Sequence, residues 1–155
     1  MKFSRISATL AVAAAALLAV PFGAHAQEAP NYNYVGIGGG DNGFVVNGKL
    51  SVADNVSIRP EVATDFDFND ESDVSYLVPI TYDLNTVGTG NTAFNPFVGT
   101  GVAGDIGEDS TVDWALVAGA DYSFAERYVA NASVNYTPFS DGDEVGFTAG
   151  LGYRF

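Results

Sequence analysis

The sequence predicts an all-β fold: an eight-stranded antiparallel up-and-down transmembrane β-barrel that follows a cleaved signal peptide. Three observations carry this. The chain opens on a short apolar leader, continues through eight segments of alternating apolar and polar residues, and stops on an aromatic residue, Phe155, without a polar tail. Ends of soluble chains usually fray into solvent, so a bulky terminal aromatic residue calls for another environment.

The leader comes first. Lys2 and Arg5 make a positive start, residues 8–20 form an apolar core, and Ala24 and Ala26 supply the small residues of a cleavage site. The core is too short for a comfortable helical span, so residues 1–26 read as a secretory signal peptide and residues 27–155 as one mature domain. The mature chain then holds four basic residues against 19 acidic ones, a formal net charge of −15. Such a surface excludes nucleic acid as a partner and favours cations. No cysteine is present, so no disulfide scaffold is available to an exported chain. The apolar content, 47% with 13% aromatic residues, excludes an acidic disordered chain.

Beyond the leader no helical period appears. Segments of about ten residues alternate with period two and close on Gly, Asn, Asp or Ser. The first, 32–40, is rich in glycine, which leaves its faces weakly specified. "GGGDNG" at 38–43 fits G-x-G-x-x-G, but it opens another strand rather than a helix, so it reads as a hairpin turn into the second segment, 43–52. The third and fourth segments, 55–66 and 73–84, each carry a proline, Pro60 and Pro79. A proline removes a ladder donor, so a bulge or local irregularity is expected at both. In the fourth segment Val74, Tyr76, Val78, Ile80 and Tyr82 share one face.

The connection 85–92 is long for the side on which it falls, and the fifth segment, 94–104, is again rich in glycine. The sixth, 111–122, aligns Val112, Trp114, Leu116, Ala118, Ala120 and Tyr122. The seventh, 127–137, sets Tyr128, Ala130, Ala132, Val134 and Tyr136 against Val129, Asn131, Ser133, Asn135 and Thr137. The eighth, 143–155, sets Val145, Phe147, Ala149, Leu151, Tyr153 and Phe155 against Gly146, Thr148, Gly150, Gly152 and Arg154.

Alternation alone suits both a soluble barrel, apolar inside, and a membrane barrel, apolar outside. Three patterns favour the membrane. The polar face is built from Gly, Ser, Thr and Asn with isolated charges, which suits a narrow interior. Under up-and-down threading, Tyr82, Tyr122, Tyr128, Tyr153 and Phe155 fall at one rim, and Phe44, Phe66, Tyr76, Trp114, Tyr136 and Phe147 towards the other, as interfacial girdles require. The same threading gathers 13 of the 19 acids at one end and places Lys49, Arg59, Arg127 and Arg154 towards the other. A closed sheet also satisfies every backbone polar group internally, as hydrocarbon demands.

The final residues, "TAGLGYRF", with Thr148, Gly150, Tyr153 and Phe155, resemble the C-terminal assembly signal of Gram-negative outer-membrane barrels. Over 32–155 the chain looks like a small barrel of the OmpA/OmpX-like kind. The resemblance implies an outer-membrane location, the lipid bilayer and the outer-membrane assembly machinery as partners, a monomer, and a periplasmic C-terminus with the acidic loops outside.

By parity Lys49, Arg59 and Arg154 face the lumen, where Glu61, Asp83 and Asp121 are placed to pair with them. The pairing reads as a structural plug or as a gate. The loop acids Asp67, Asp70, Glu71 and Asp73 offer carboxylate oxygens to Ca²⁺, or through divalent cations to anionic surface lipids; as a plain alternative they keep the loop solvated. No cofactor is implied. The mature chain lacks His and Cys, which removes the Ser-His, Cys-His and His-metal sites, so no enzyme is expected. A structural envelope protein with a plugged lumen is the first expectation, and a narrow cation-preferring pore with an acidic rim is the second.

Overall fold

Alternating segments separated by turn residues pair in sequence order, and the last pairs with the first. The computed structural model of the protein describes residues 31–65, 74–88, 93–107, 110–138 and 144–155. Its strands are β1 (Tyr34–Gly40), β2 (Gly43–Ala53), β3 (Val56–Ile58), β4 (Glu61–Thr64), β5 (Val74–Asp83), β6 (Ala93–Ile106), β7 (Thr111–Ser123), β8 (Tyr128–Thr137) and β9 (Glu144–Arg154). Both β3 and β4 pair with β2 on one side and β5 on the other, so together they form one interrupted barrel strand. Antiparallel pairing of β1 with both β2 and β9 closes the barrel, which is therefore eight-stranded. Closure leaves no sheet edge.

The interruption has a specific cause. Arg59 and Pro60 lie between β3 and β4. Gly48 N–H donates to Pro60 O at 3.0 Å, and Arg59 N–H donates to Pro79 O at 3.1 Å, but neither proline has an N–H with which to reciprocate. Each proline thus removes one bond from the same barrel strand, Pro60 towards β2 and Pro79 towards β5. The irregularity expected at Pro60 is present. At Pro79 the irregularity is confined to one side: the ladder loses a bond opposite Arg59, while β5 keeps an unbroken register with β6 through Pro79↔Gly101. A Cβ at position 101 would run into the backbone of Val78 and Pro79, so glycine there lets β6 lie close against β5. The β2–β3 pairing also shifts register between Ser51 and Ala53, ahead of a turn in which Asn55 has φ 60°.

The connection after β5 is shorter in space than in sequence. Leu84 N–H donates to Pro96 O at 2.8 Å, and Val87 and Phe94 exchange two backbone bonds of 2.8 Å, so 84–88 continue the sheet. At the same end Phe155 N–H donates to Asn33 O at 3.1 Å, which brings the two ends of the described barrel together.

The two faces separate as the alternation requires. Val35, Ile37, Val46, Val78, Ile80, Leu116 and Leu151 point outward and are exposed. Tyr82, Tyr122, Phe124, Tyr128, Tyr153 and Phe155 are exposed at the rim that holds the termini, and Phe44, Trp114 and Phe147 are exposed towards the other. Phe66 of the expected second girdle lies outside the described residues. The interior is less uniformly polar than expected. Leu77, Phe97, Ala115 and Val117 form a buried apolar cluster within it, and Tyr32, Tyr34 and Val129 form another.

Candidate functional site

The lumen is crossed by a layer of charged side chains that the register brings in from several strands. Arg59, held between β3 and β4, is at its centre. Its Nε donates to Thr81 Oγ1 at 3.1 Å, and Nη1 donates to Asp121 Oδ1 at 3.1 Å and Tyr34 Oη at 3.4 Å. Nη2 donates to Asp83 Oδ1 at 3.0 Å and Asp121 Oδ2 at 2.9 Å. All five guanidinium N–H groups therefore have acceptors. The Phe97 ring lies against the guanidinium, with 3.6 Å from Cζ to the ring centroid. Cation–π contacts of this kind gain strength when desolvated.

The carboxylates are equally occupied. Asp121, with 0% of its surface exposed, accepts from Arg59 and also from Tyr32 Oη at 2.8 Å and Tyr34 Oη at 3.3 Å. Asp83 accepts from Arg59 and from Ser57 Oγ at 2.6 Å, and it forms an ion pair with the ammonium of Lys49 at 2.8 Å. Lys49 is also 0% exposed, and its Nζ sits 4.0 Å from the centroid of the Tyr32 ring. Two cations thus face two carboxylates, and the layer carries no net charge. Arg59 and both carboxylates meet the terms on which buried ions are tolerated, opposite partners and filled hydrogen-bonding positions, whereas Lys49 Nζ has the Asp83 ion pair and the Tyr32 ring but no hydrogen-bond acceptor among the described residues.

Two of the six sequence-predicted lumen residues stand apart from the ion pairs. Arg154 does not meet an acid; it donates to Ser123 Oγ at 3.3 Å and lies 4.2 Å from the Tyr32 ring, so Tyr32 is held between Lys49 and Arg154. Glu61, expected to pair with a cation, instead accepts a hydrogen bond from Thr148 Oγ1 at 2.7 Å. The reason is height in the barrel. Glu61 pairs in register with Asn47 and Leu77, a step closer to the acidic end than Arg59.

Above the layer, Glu61 helps to line an open cavity of about 320 Å³ with Asp41, Asp65, Asp105, Asp113 and Glu144. Between this cavity and the guanidinium, a void of about 20 Å³ is lined by Asn47, Arg59, Glu61, Leu77, Phe97 and Asn131. Such a void holds about one water molecule. The wide acidic mouth therefore narrows to a water-sized space at the guanidinium.

Sequence reasoning missed the aromatic members of the plug, Tyr32, Tyr34 and Phe97. Glycines opposite them are the signal that was available. A Cβ at position 119 would meet the Phe97 ring, and one at 152 would meet the Tyr34 ring at 2.7 Å. Bare backbone on the inward face of β7 and β9 makes the recesses that the rings fill.

Of the C-terminal residues, Thr148 and Gly150 face inward, while Tyr153 and Phe155 face outward at the rim. Tyr153 Oη accepts a bond of 2.8 Å from Arg127 Nη1, which raises the Arg127 pKa further above its usual value. The loop acids Asp67, Asp70, Glu71 and Asp73 and the cleavage residues Ala24 and Ala26 lie outside the described residues. Among the described residues no group of three or more His, Cys, Asp or Glu side chains is placed to hold a metal ion.

No protein-family model matches the chain, and no curated protein does. Solved structures do. The N-terminal β-barrel domain of Pseudomonas aeruginosa OprF is 20% identical with a TM-score of 0.60, over 83% of this chain and 100% of that one. Ail, the attachment invasion locus protein of Yersinia pestis, is 16% identical in its crystal structure with a TM-score of 0.52, over 81% of this chain and 99% of that one. A de novo designed transmembrane β-barrel is 15% identical with a TM-score of 0.51, over 84% of this chain and 100% of that one. At these identities the likeness is one of fold: this chain is an eight-stranded antiparallel closed β-barrel similar to small outer-membrane barrels.

Proposed function

We propose that this protein is an integral outer-membrane β-barrel with a structural role in the envelope, its lumen closed to ions by the Arg59 layer. One observation supports the closed lumen: the buried Arg59–Asp83–Asp121–Lys49 group meets in the lumen with Tyr32, Tyr34 and Phe97, and the void beside the guanidinium is only about 20 Å³. An eight-stranded barrel is just wide enough for side chains to fill. Membrane insertion is supported by the outward apolar face and by the aromatic residues at both rims. The fold of OprF and Ail supports the outer membrane as the location. In this reading the barrel is a monomer with lipid and the outer-membrane assembly machinery as partners, and it catalyses no reaction. The acidic end faces outward, where divalent cations could bridge its loops to anionic surface lipids.

A second reading, a narrow cation-preferring pore, draws on the acidic cavity. Six carboxylates around an open mouth raise the local concentration of cations. Planar-bilayer conductance of the mature chain, first shown folded by its heat-modifiable migration, separates the two. A folded, inserted and silent barrel supports the structural reading. Discrete cation-selective steps that vanish when Glu61 and Asp113 are neutralised would replace it with the pore.

A further inference from the structure

The outward face carries a groove that the function above does not use. It is a depression of about 310 Å³ across β2, β1, β9 and β8, lined by Val35, Ile37, Val46, Leu151, Tyr128 and Tyr153. Register explains why the surface dips here. Gly48 stands beside Val35, and Ala130 beside Leu151, so two outward positions contribute almost no bulk among large neighbours. The groove reaches the rim at Tyr128 and Tyr153, which pair across β8 and β9 and meet edge-to-face with ring centroids 5.8 Å apart.

A cation waits at that end. Among the described residues Arg127 is the one Lys or Arg side chain outside the lumen, and it is exposed. Its Nη1 donates to the hydroxyl of Tyr153, itself a wall of the groove. That bond aims a guanidinium across the mouth of an apolar trough at the level of the aromatic rim. An arginine presents several donors in a planar fork that matches a phosphate. Apolar trough and cation together match one ligand chemistry, an acyl chain joined to a phosphate.

We propose that this groove is a binding site for one phospholipid molecule, with an acyl chain laid between Ile37, Leu151 and Val35 and the headgroup phosphate on Arg127. The site rests on the membrane reading given above. It singles out one lipid from the annulus and places it at the rim where the chain ends meet.

The test keeps the two readings apart. The refolded mature protein is first added to phospholipid vesicles, and insertion is scored by heat-modifiable migration and protease protection. Failure to insert defeats the membrane reading and the groove with it. Inserted protein is then taken into detergent, titrated with dimyristoyl phosphatidylglycerol, and its lipid adducts are counted by native mass spectrometry. We expect a first lipid that saturates before a second binds. Arg127→Gln weakens it about tenfold, the usual consequence of losing a charge-assisted hydrogen bond. Ala130→Phe, which adds a large ring on the outward face beside Leu151 of the trough and leaves the cation in place, weakens it by a similar factor while the folded band persists. Dimyristoylglycerol, which has the chains without the phosphate, binds about tenfold more weakly than the phospholipid, and inorganic phosphate does not displace the lipid. A graded spread of adducts with no saturating first lipid would overturn the proposal. So would equal affinity in both variants, equal binding of the diacylglycerol, or displacement by phosphate alone.

Discussion

Arg59 and Asp121, 62 residues apart in the chain, meet in the middle of the barrel through two parallel hydrogen bonds of 3.1 and 2.9 Å. Arg59 comes from the break between β3 and β4, and Asp121 from near the end of β7. The pair therefore ties opposite walls of the barrel through the lumen, independently of the sheet's own ladder. Arg59 is held in place by the surrounding groups, since Asp83 and Thr81 on β5 take its remaining strong donors. The backbone at Arg59 lacks two ladder bonds because of Pro60 and Pro79, so the side-chain contacts supply order where the sheet is weakest.

Arg59→Met should consequently destabilise the barrel. Methionine fills much of the space and removes the charge, leaving Asp121 with the two tyrosine hydroxyls and Asp83 with Lys49 and Ser57. Removing one partner of a buried pair typically costs about 3–5 kcal/mol. The measurement is urea unfolding of the detergent-folded protein, followed by the fluorescence of Trp114, the single tryptophan. An unchanged midpoint would mean that the pair contributes nothing net to stability.

Phe97 and Gly119 should behave as a coupled pair. A Cβ at 119 would meet both the β8 backbone at Ala132 O and the end of the Phe97 ring, which lies against Arg59, so relieving the ring should relieve part of the clash. Gly119→Ala should cost roughly 1–3 kcal/mol, as overpacking does. In a Phe97→Ala background that cost should shrink by about 1 kcal/mol or more, because contacting residues are not additive. Equal costs in both backgrounds would show that the whole cost comes from the backbone of β8.

These two cases mark where the sequence was legible. Period-two alternation placed all eight barrel strands within a few residues, because a side chain that faces outward on one strand fixes the parity of its whole strand. Parity also placed Lys49, Arg59, Asp83 and Asp121 inside. What parity does not contain is height. It assigns Glu61 to the lumen correctly but does not say which residues of the far strands share its level; two residues beyond Arg59, Glu61 meets Thr148 of β9 rather than a cation. Tyr32 precedes the first strand, and Phe97 follows two glycine-poor residues in an otherwise ambiguous segment, so neither announced itself as part of a plug. Pro79 was legible as a missing donor, but not the side on which that donor would be missed.

Glu61 supplies a contrasting prediction. Its carboxylate sits in the lumen wall with Thr148 as its hydrogen-bond partner and no cation at hand. Glu61→Gln preserves the shape and the acceptor while removing the charge. Its stability should be unchanged or raised by about 1 kcal/mol, since a half-buried charge without a cation partner is relieved. Asp121→Asn, by contrast, should lose about 3 kcal/mol by breaking a filled pair. Equal losses for the two variants in parallel urea titrations would mean that Glu61 belongs electrostatically to the Arg59 layer.

The terminal residue separates folding from delivery. Phe155 is 70% exposed on the outer rim, and its backbone N–H, not its ring, holds the chain end to Asn33 O. Phe155→Ala keeps that bond and removes only a ring that faces outward. Purified and refolded in detergent, the variant should unfold within about 0.5 kcal/mol of the parent, as surface substitutions usually do. If the last residues are read by the outer-membrane assembly machinery, the same variant expressed in cells should reach the outer membrane at a several-fold lower level. Quantifying the heat-modifiable band in outer-membrane fractions beside the urea midpoint gives both halves of the comparison. Normal delivery with normal stability would remove the assembly role from Phe155. Poor delivery together with a lowered midpoint would instead make the ring a structural anchor of the rim.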